Sequence, residues 1–421
     1  MASDSRYAEF KPGWPALLSA TVGSAVGVTA LLFYSLGSFT GALQAEFGWN
    51  RAQISSSFLY TTIALTVAAV PLGWLLDRYG PRRIAYFSVP GLTLSLLLLS
   101  QFHGDLTQFY LLFALAGLLG AGTTSIVYTK VVNAAFLVSR GLALGISLAG
   151  LGGAALVLPP LVTGVVQPYG WRAGFLALAV LSLLVIPFAI FGLKNPVTTA
   201  GTRTAASGTA PESAPVSGAE RGEALRSRTF WTMLLGVILA GSSVPALIPH
   251  LVPMLTDAGL TPATAASIAS LVGLGIIAGR LCIGFLLDRF FAPLVAAPLF
   301  LVAAAGCLLL MWSGAGMAPL AALMMGVCFG AEADLIAFLC GSYFGLKSYG
   351  FLFGIIYGIF TIAVAIGPIW VGSIYDQTHT YQGALISVAV LLTLGASIFL
   401  TLPRKPAYAT ASGIAVPEVV V

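Results

Sequence analysis

Charge is what this chain has least of: Asp, Glu, Lys and Arg make up 8% of its 421 residues, where a soluble domain carries about 25%. With 58% of residues hydrophobic, there is too little polar surface to face water, and a soluble fold is excluded. Histidine is nearly missing as well. His103, His250 and His379 are the whole set, all near external loops, and neither an H-E-x-x-H nor a G-x-S-x-G pattern occurs, which removes the familiar metallohydrolase and serine-hydrolase signatures. Cys282, Cys307, Cys328 and Cys340 lie in apolar runs at no metal-ligand spacing and read as small buried hydrophobes. No metal, no cofactor and no enzymatic activity are expected. The longest polar stretch is too short and too polar to bury a core, which argues against a sensor built on a soluble domain.

Long hydrophobic runs fill the chain instead. Runs able to cross about 30 Å of hydrocarbon occupy 15–42, 53–76, 84–102, 107–130, 141–166 and 172–193, then 229–253, 263–286, 292–312, 318–344, 350–373 and 382–402. They lack the alternation of barrel strands and are about twice as long as such strands need. The expectation is an all-α membrane protein of twelve transmembrane helices. The first run is far longer than a signal-peptide core and is expected to be retained.

With an even number of spans both termini share one side. Of the 19 Lys and Arg, only Arg51 and Arg172 fall opposite and Arg280 lies within a helix; the other sixteen sit on the terminal side or at its boundary. This asymmetry predicts a multi-pass inner (plasma) membrane protein with both termini cytoplasmic. It also accounts for the net charge of +5 without nucleic acid. Between Lys194 and Arg228 the composition turns to Gly, Ser, Thr, Ala and Pro, as in TTAGTRTAASGTAPESAPVSGAERGE, the makeup of a flexible linker. The organisation expected is a terminal segment at 1–14, a six-helix bundle at 15–193, a cytoplasmic linker at 194–228, a second bundle at 229–402 and a tail at 403–421. The bundles share traces of one another: GWLLDR at 73–78 returns as GFLLDR at 284–289, and GLALGI at 141–146 returns as GFLFGI at 350–355. Near-equal offsets in the same helix order point to duplication and two pseudo-symmetric halves.

The segment Gly73-Trp74-Leu75-Leu76-Asp77-Arg78-Tyr79-Gly80-Pro81-Arg82-Arg83 resembles the G-x-x-x-D-R-x-G-R-R signature of the major facilitator superfamily, and the twelve runs and central linker extend the resemblance over essentially the whole chain. Phe47-Gly48-Trp49-Asn50-Arg51, Gly170-Trp171-Arg172 and the lone Arg280 in the eighth run are similar to the monocarboxylate transporter and oxalate/formate antiporter branch. The resemblance implies secondary transport by alternating access with a site between the halves. It also implies a latching role at the cytoplasmic helix ends for Gly73, Asp77, Arg78, Gly80 and Arg82, with Asp288 and Arg289 as the weaker second copy. The alternative for the bases is that they only mark topology. Animal members pair the helix 8 arginine with an acid one turn earlier and use a lysine in helix 1. Here Ile276 stands one turn before Arg280, and no charge lies between Trp14 and Glu46, which directs attention to helix 10.

Charge inside hydrocarbon costs several kcal/mol, so Arg280, Glu332 and Asp334 must be paired, face water or do work. Counting back from the cytoplasmic helix ends at about 1.5 Å per residue puts Arg280 ~12 Å deep and Glu332 and Asp334 ~20 and ~17 Å deep. A guanidinium is a permanent cation whose planar fork suits a carboxylate, so Arg280 is the expected substrate site. An acid displaced from it by an anionic substrate would accept a proton, which makes Glu332 and Asp334 the expected proton-coupling pair. They lie roughly 200° apart around the helix and cannot share a face; Glu332 is the favoured proton site. A permanent salt bridge between helices 8 and 10 is the alternative. Tyr34, Thr124, Tyr128 and Tyr357 are candidate substrate contacts, each with packing as its alternative. Lys130 is expected to snorkel to the cytoplasmic boundary, and His250 to be a satisfied boundary residue or a pH sensor. Gly141, Gly145, Gly150, Gly152 and Gly153 suit close helix packing. The functional expectation is proton-coupled symport of small organic anions of monocarboxylate type by a monomer in a lipid bilayer, with anion exchange or export of amphipathic compounds as alternatives.

Overall fold

The computed structural model describes residues 9–136, 140–193, 218–287, 289–345 and 347–403. Nine helical stretches among them are long and apolar enough to cross a membrane. Two, Leu142–Gly192 and Ala292–Phe344, run to 51 and 53 residues, which is about 75–80 Å and more than twice the hydrocarbon thickness. The first breaks at Gly170, with φ 81°, and the second at Gly314, with φ 52°, backbone that L side chains rarely adopt. Each therefore holds two spans. Arg51–Tyr79, made less apolar by Ser55, Ser56, Ser57, Thr61 and Thr62, is 29 residues long and completes twelve among the described residues. In chain order they are α1 (Phe10–Phe47), α2 (Arg51–Tyr79), α3 (Pro81–Gln101), α4 (Leu106–Val132), α5 (142–169), α6 (171–192), α7 (Arg228–Asp257), α8 (Pro262–Leu287), α9 (Ala292–Ser313), α10 (Ala318–Phe344), α11 (Tyr349–Thr378) and α12 (Gln382–Leu400).

The described residues fall into two compact units, one within Met1–Ala210 and Thr261–Gly273, the other within Pro211–Leu260 and Leu274–Val421. In the first unit α1 and α4 are both broken, and the breaks meet. Gly27 is extended at φ −75°, ψ 165°, and the Val28 N–H this frees donates to the Thr123 hydroxyl at 3.0 Å. Thr123 belongs to the short 3-10 turn Ala121–Thr123 that interrupts α4. Irregular backbone at membrane depth needs such partners, because hydrocarbon offers none.

The Phe47–Arg51 and Gly170–Arg172 motifs form one clasp at the end of this unit remote from the chain's start. Gly48 (φ 68°) stops α1, and Asn50 and Gln53 cap the start of α2 reciprocally at 2.8 and 2.9 Å. Glu46 accepts the Trp171 indole N–H and pairs with Arg172 at 2.9 Å, whose guanidinium lies 4.1 Å from the Trp171 ring centre. Phe47, Trp49, Phe102 and Trp171 pack around it with centroids 4.7–5.8 Å apart. These signature residues join the end of α1 and the turn into α2 to the start of α6. Because the ion pair is exposed, Glu46→Gln is expected to lower the thermal midpoint by only about 1–3 °C. That gap should narrow as salt rises, which differential scanning fluorimetry at two ionic strengths checks.

In the second unit, three glycines bring α8 and α10 into backbone contact. A Cβ on Gly275 would stand 2.5 Å from the Leu323 carbonyl oxygen, one on Gly279 2.2 Å from that of Val327, and one on Gly330 2.3 Å from that of Ile276. The polar chain ahead of α7 docks on the α10–α11 turn: the Ala219 N–H donates to the Phe344 carbonyl at 2.9 Å, Ser348 donates to the Ala219 carbonyl at 2.9 Å, and Lys347 pairs with Glu220 at 3.0 Å. His250 is 2% exposed. Its Nε2 donates to the Pro368 carbonyl at 2.7 Å and its Nδ1 lies 3.2 Å from the Tyr381 hydroxyl, so it ties α7 to α11 and the start of α12. Cys307, Cys328 and Cys340 are buried as expected, but Cys282 is exposed; two residues beyond Arg280, it sits roughly 200° around α8.

Candidate functional site

α8 delivers Arg280 one residue past the Gly279 contact, and α10 delivers Asp334 four residues past Gly330. The close helix approach is what lets two charged side chains on neighbouring helices meet. Arg280 Nη1 stands 3.6 Å from Asp334 Oδ2, with side chains 11% and 41% exposed. At that length the contact is an ion pair without a hydrogen bond. The Arg280 Nε–H is buried and has no acceptor, so a five-donor group is held by one loose contact. Tyr357 on α11, 39% exposed, puts its hydroxyl within electrostatic reach of both Arg280 and Asp334. A permanent cation, an acid and a phenol thus converge from three helices of one unit.

Glu332 lies elsewhere. It is 2% exposed, its Oε1 accepts from the Cys328 thiol at 3.7 Å, and its Oε2 has no partner. The two acids therefore divide as their spacing requires, Asp334 toward Arg280 and Glu332 into helix packing. Sequence alone favoured the other assignment. A signal for the observed one exists: Gly326, Gly330 and Asp334 recur every four residues along the stripe that meets α8, while Cys328 and Glu332 share another stripe.

Three candidates belong to the first unit. Tyr34, 9% exposed, packs edge-on against Phe33 at 5.4 Å. Thr124 starts the second part of α4 in extended conformation and donates to the Ala121 carbonyl at 2.8 Å. Tyr128 is fully buried against Gly23, where a Cβ would fall 2.1 Å from its ring, and its hydroxyl has no partner. Lys130 reaches the Leu76 carbonyl at 3.5 Å, the C-terminal turn of α2, where a cation meets the negative end of the helix dipole.

At the proposed latch, Gly80 (φ 79°) ends α2 and Pro81 opens α3; glycine after a helix and proline at its first position are the favoured residues. Arg78 lies over Trp74 and Tyr79 at 5.4 and 5.8 Å, and Arg82 Nε donates to the Tyr86 hydroxyl at 2.9 Å. Gly73 has open space where a Cβ would stand. Arg289, just past α8, is exposed. The Asp77 side chain and Asp288 lie outside the described residues.

Twelve apolar helices with an ion pair between two of them describe a multi-pass membrane protein, and comparison with known proteins narrows this. The model of the Major Facilitator Superfamily matches residues 22–350 and 246–418, and the chain belongs to that family. Human monocarboxylate transporter 11 is 27% identical over 93% of this chain and 83% of its own length. Bovine monocarboxylate transporter 13 is 26% identical over 93% and 89%, and a probable L-galactonate transporter of Escherichia coli K12 is 24% identical over 86% and 84%. Among solved structures, a bacterial homolog of the human lysosomal transporter Spinster superposes with a TM-score of 0.66 at 17% identity, covering 93% of this chain and 97% of that one. The chain is thus a transporter related to the monocarboxylate transporters, and its fold and relatives are those of carriers rather than enzymes.

Proposed function

We propose that this carrier moves small organic anions, most simply monocarboxylates, by alternating access in symport with protons, with Arg280 as anion site and Asp334 as proton acceptor. The observation that supports the reading is the loosely held guanidinium of Arg280, with a buried donor unfilled, beside an acid and a tyrosine hydroxyl. A substrate carboxylate supplies the missing acceptors and competes with Asp334 for the cation. Deprived of its partner in a poorly solvated setting, Asp334 takes up a proton, so anion and proton load together. The kinship with monocarboxylate transporters agrees with this substrate class.

The test is uptake of labelled carboxylates by reconstituted vesicles under an inward proton gradient. Asp334→Asn is expected to abolish proton-driven accumulation, which for one proton per carboxylate reaches about tenfold inside over outside at one pH unit of gradient, while exchange of internal for external carboxylate persists. Equal loss of both activities would favour a purely structural salt bridge, and uptake indifferent to the gradient in wild type would favour obligate exchange.

A further inference from the structure

Along α11, Tyr349, Phe353 and Tyr357 lie four residues apart and stack almost flat on one another, with centroids 5.5 and 5.3 Å apart and planes within 8° and 17° of parallel. Phe360 closes the row against Tyr357 at 5.7 Å. The row runs beside α10, beginning where the Tyr349 ring faces Gly341 and ending with Tyr357, within electrostatic reach of the Arg280–Asp334 pair. Eight residues of helix make it about 12 Å long. Tyr357 is 39% exposed and Phe353 is half-buried, so the rings are not sealed in a core. Gly354 and Gly358, each one residue past a stacked ring, have nothing within 4 Å of where a Cβ would stand. A partly exposed aromatic row, with open space at the neighbouring helix face, thus runs along α11 toward the cation.

We infer that the substrate is a carboxylate bearing a flat aromatic or conjugated ring, its carboxylate on Arg280 and its ring against the Phe353–Tyr357 stack. A short aliphatic acid would leave these rings unused, whereas a planar body meets the exposed parts of an offset row whose faces and edges favour aromatic over saturated partners. This deepens the anion reading of Arg280 and rests on it.

The experiment compares benzoate with cyclohexanecarboxylate, matched in charge and ring size, by thermal stabilisation and by competition for uptake of labelled acetate in vesicles of the full chain. Benzoate is expected to bind about fivefold more tightly, the range an aromatic pair supplies. Phe353→Leu is expected to bring the ratio toward one and Phe353→Tyr to restore it. Equal affinity for the two acids, with Arg280-dependent acetate uptake intact, would overturn the aromatic assignment and spare the anion site. Failure of every carboxylate to stabilise or compete would overturn both.

Discussion

Arg280→Ala is expected to reduce carboxylate uptake by on the order of 100-fold or more, because losing the guanidinium from the hydrogen-bonded pair proposed between it and the substrate carboxylate costs about 2–5 kcal/mol or more and each 1.4 kcal/mol is tenfold. Arg280→Lys is expected to rescue little. An ammonium keeps the charge but loses the planar fork that meets both carboxylate oxygens at once. The single alanine variant also strands Asp334 on α10 without its cation, so protein yield and thermal midpoint must be followed alongside transport. Combining Arg280→Ala with Asp334→Asn removes the stranded charge. If the double variant is folded and lacks the carboxylate exchange that Asp334→Asn alone retains, the loss belongs to anion binding. Uptake by Arg280→Ala at wild-type rates would end the proposal that this group holds the substrate.

The second large effect is expected at Gly279. A Cβ there would fall 2.2 Å from the Val327 carbonyl oxygen, a backbone atom that cannot rotate away as a side-chain tip can. Overpacking of this kind costs about 1–3 kcal/mol even where side chains can adjust, and Gly279→Val adds two methyls to the collision. The expectation is a thermal midpoint lower by several degrees and little transport, since α8 and α10 must separate and carry Arg280 away from Asp334. Gly145, with nothing within 4 Å of where a Cβ would stand, is the control: Gly145→Ala is expected to match wild type in both measurements. A stable, active Gly279→Val protein would show that the helix contact does not set the charge pair.

The lengths of the apolar runs were enough to read the twelve spans, because hydrocarbon imposes helix length and polarity directly on composition. Breaks inside spans were less visible. Gly27 and Thr123 are ordinary residues in apolar runs, and only their meeting explains why α1 and α4 interrupt there. Arg280 stood out as a lone charge, but its partner depended on which face of α10 turns toward α8, a matter of rotation that the Gly326 and Gly330 stripe decides. The Glu46 clasp joins residues 125 apart in the chain, and no local pattern connects them. Of the helix 5 glycines, Gly150 alone among Gly145, Gly150 and Gly153 makes a tight contact, 2.2 Å from a Cβ to the Thr21 carbonyl oxygen. Density of glycine signals the possibility of close approach, and the neighbouring helix determines where it happens.

The docking of Gly218–Arg221 on the α10–α11 turn has a practical bearing on engineering. Those residues look like the tail of a spacer, yet the Ala219 and Glu220 contacts make them a fitted cover for the helix pair behind them. A two-fragment version of the carrier, or a reporter inserted between its halves, should be joined upstream of Gly218, so that the C-terminal piece keeps its own first clasped residues.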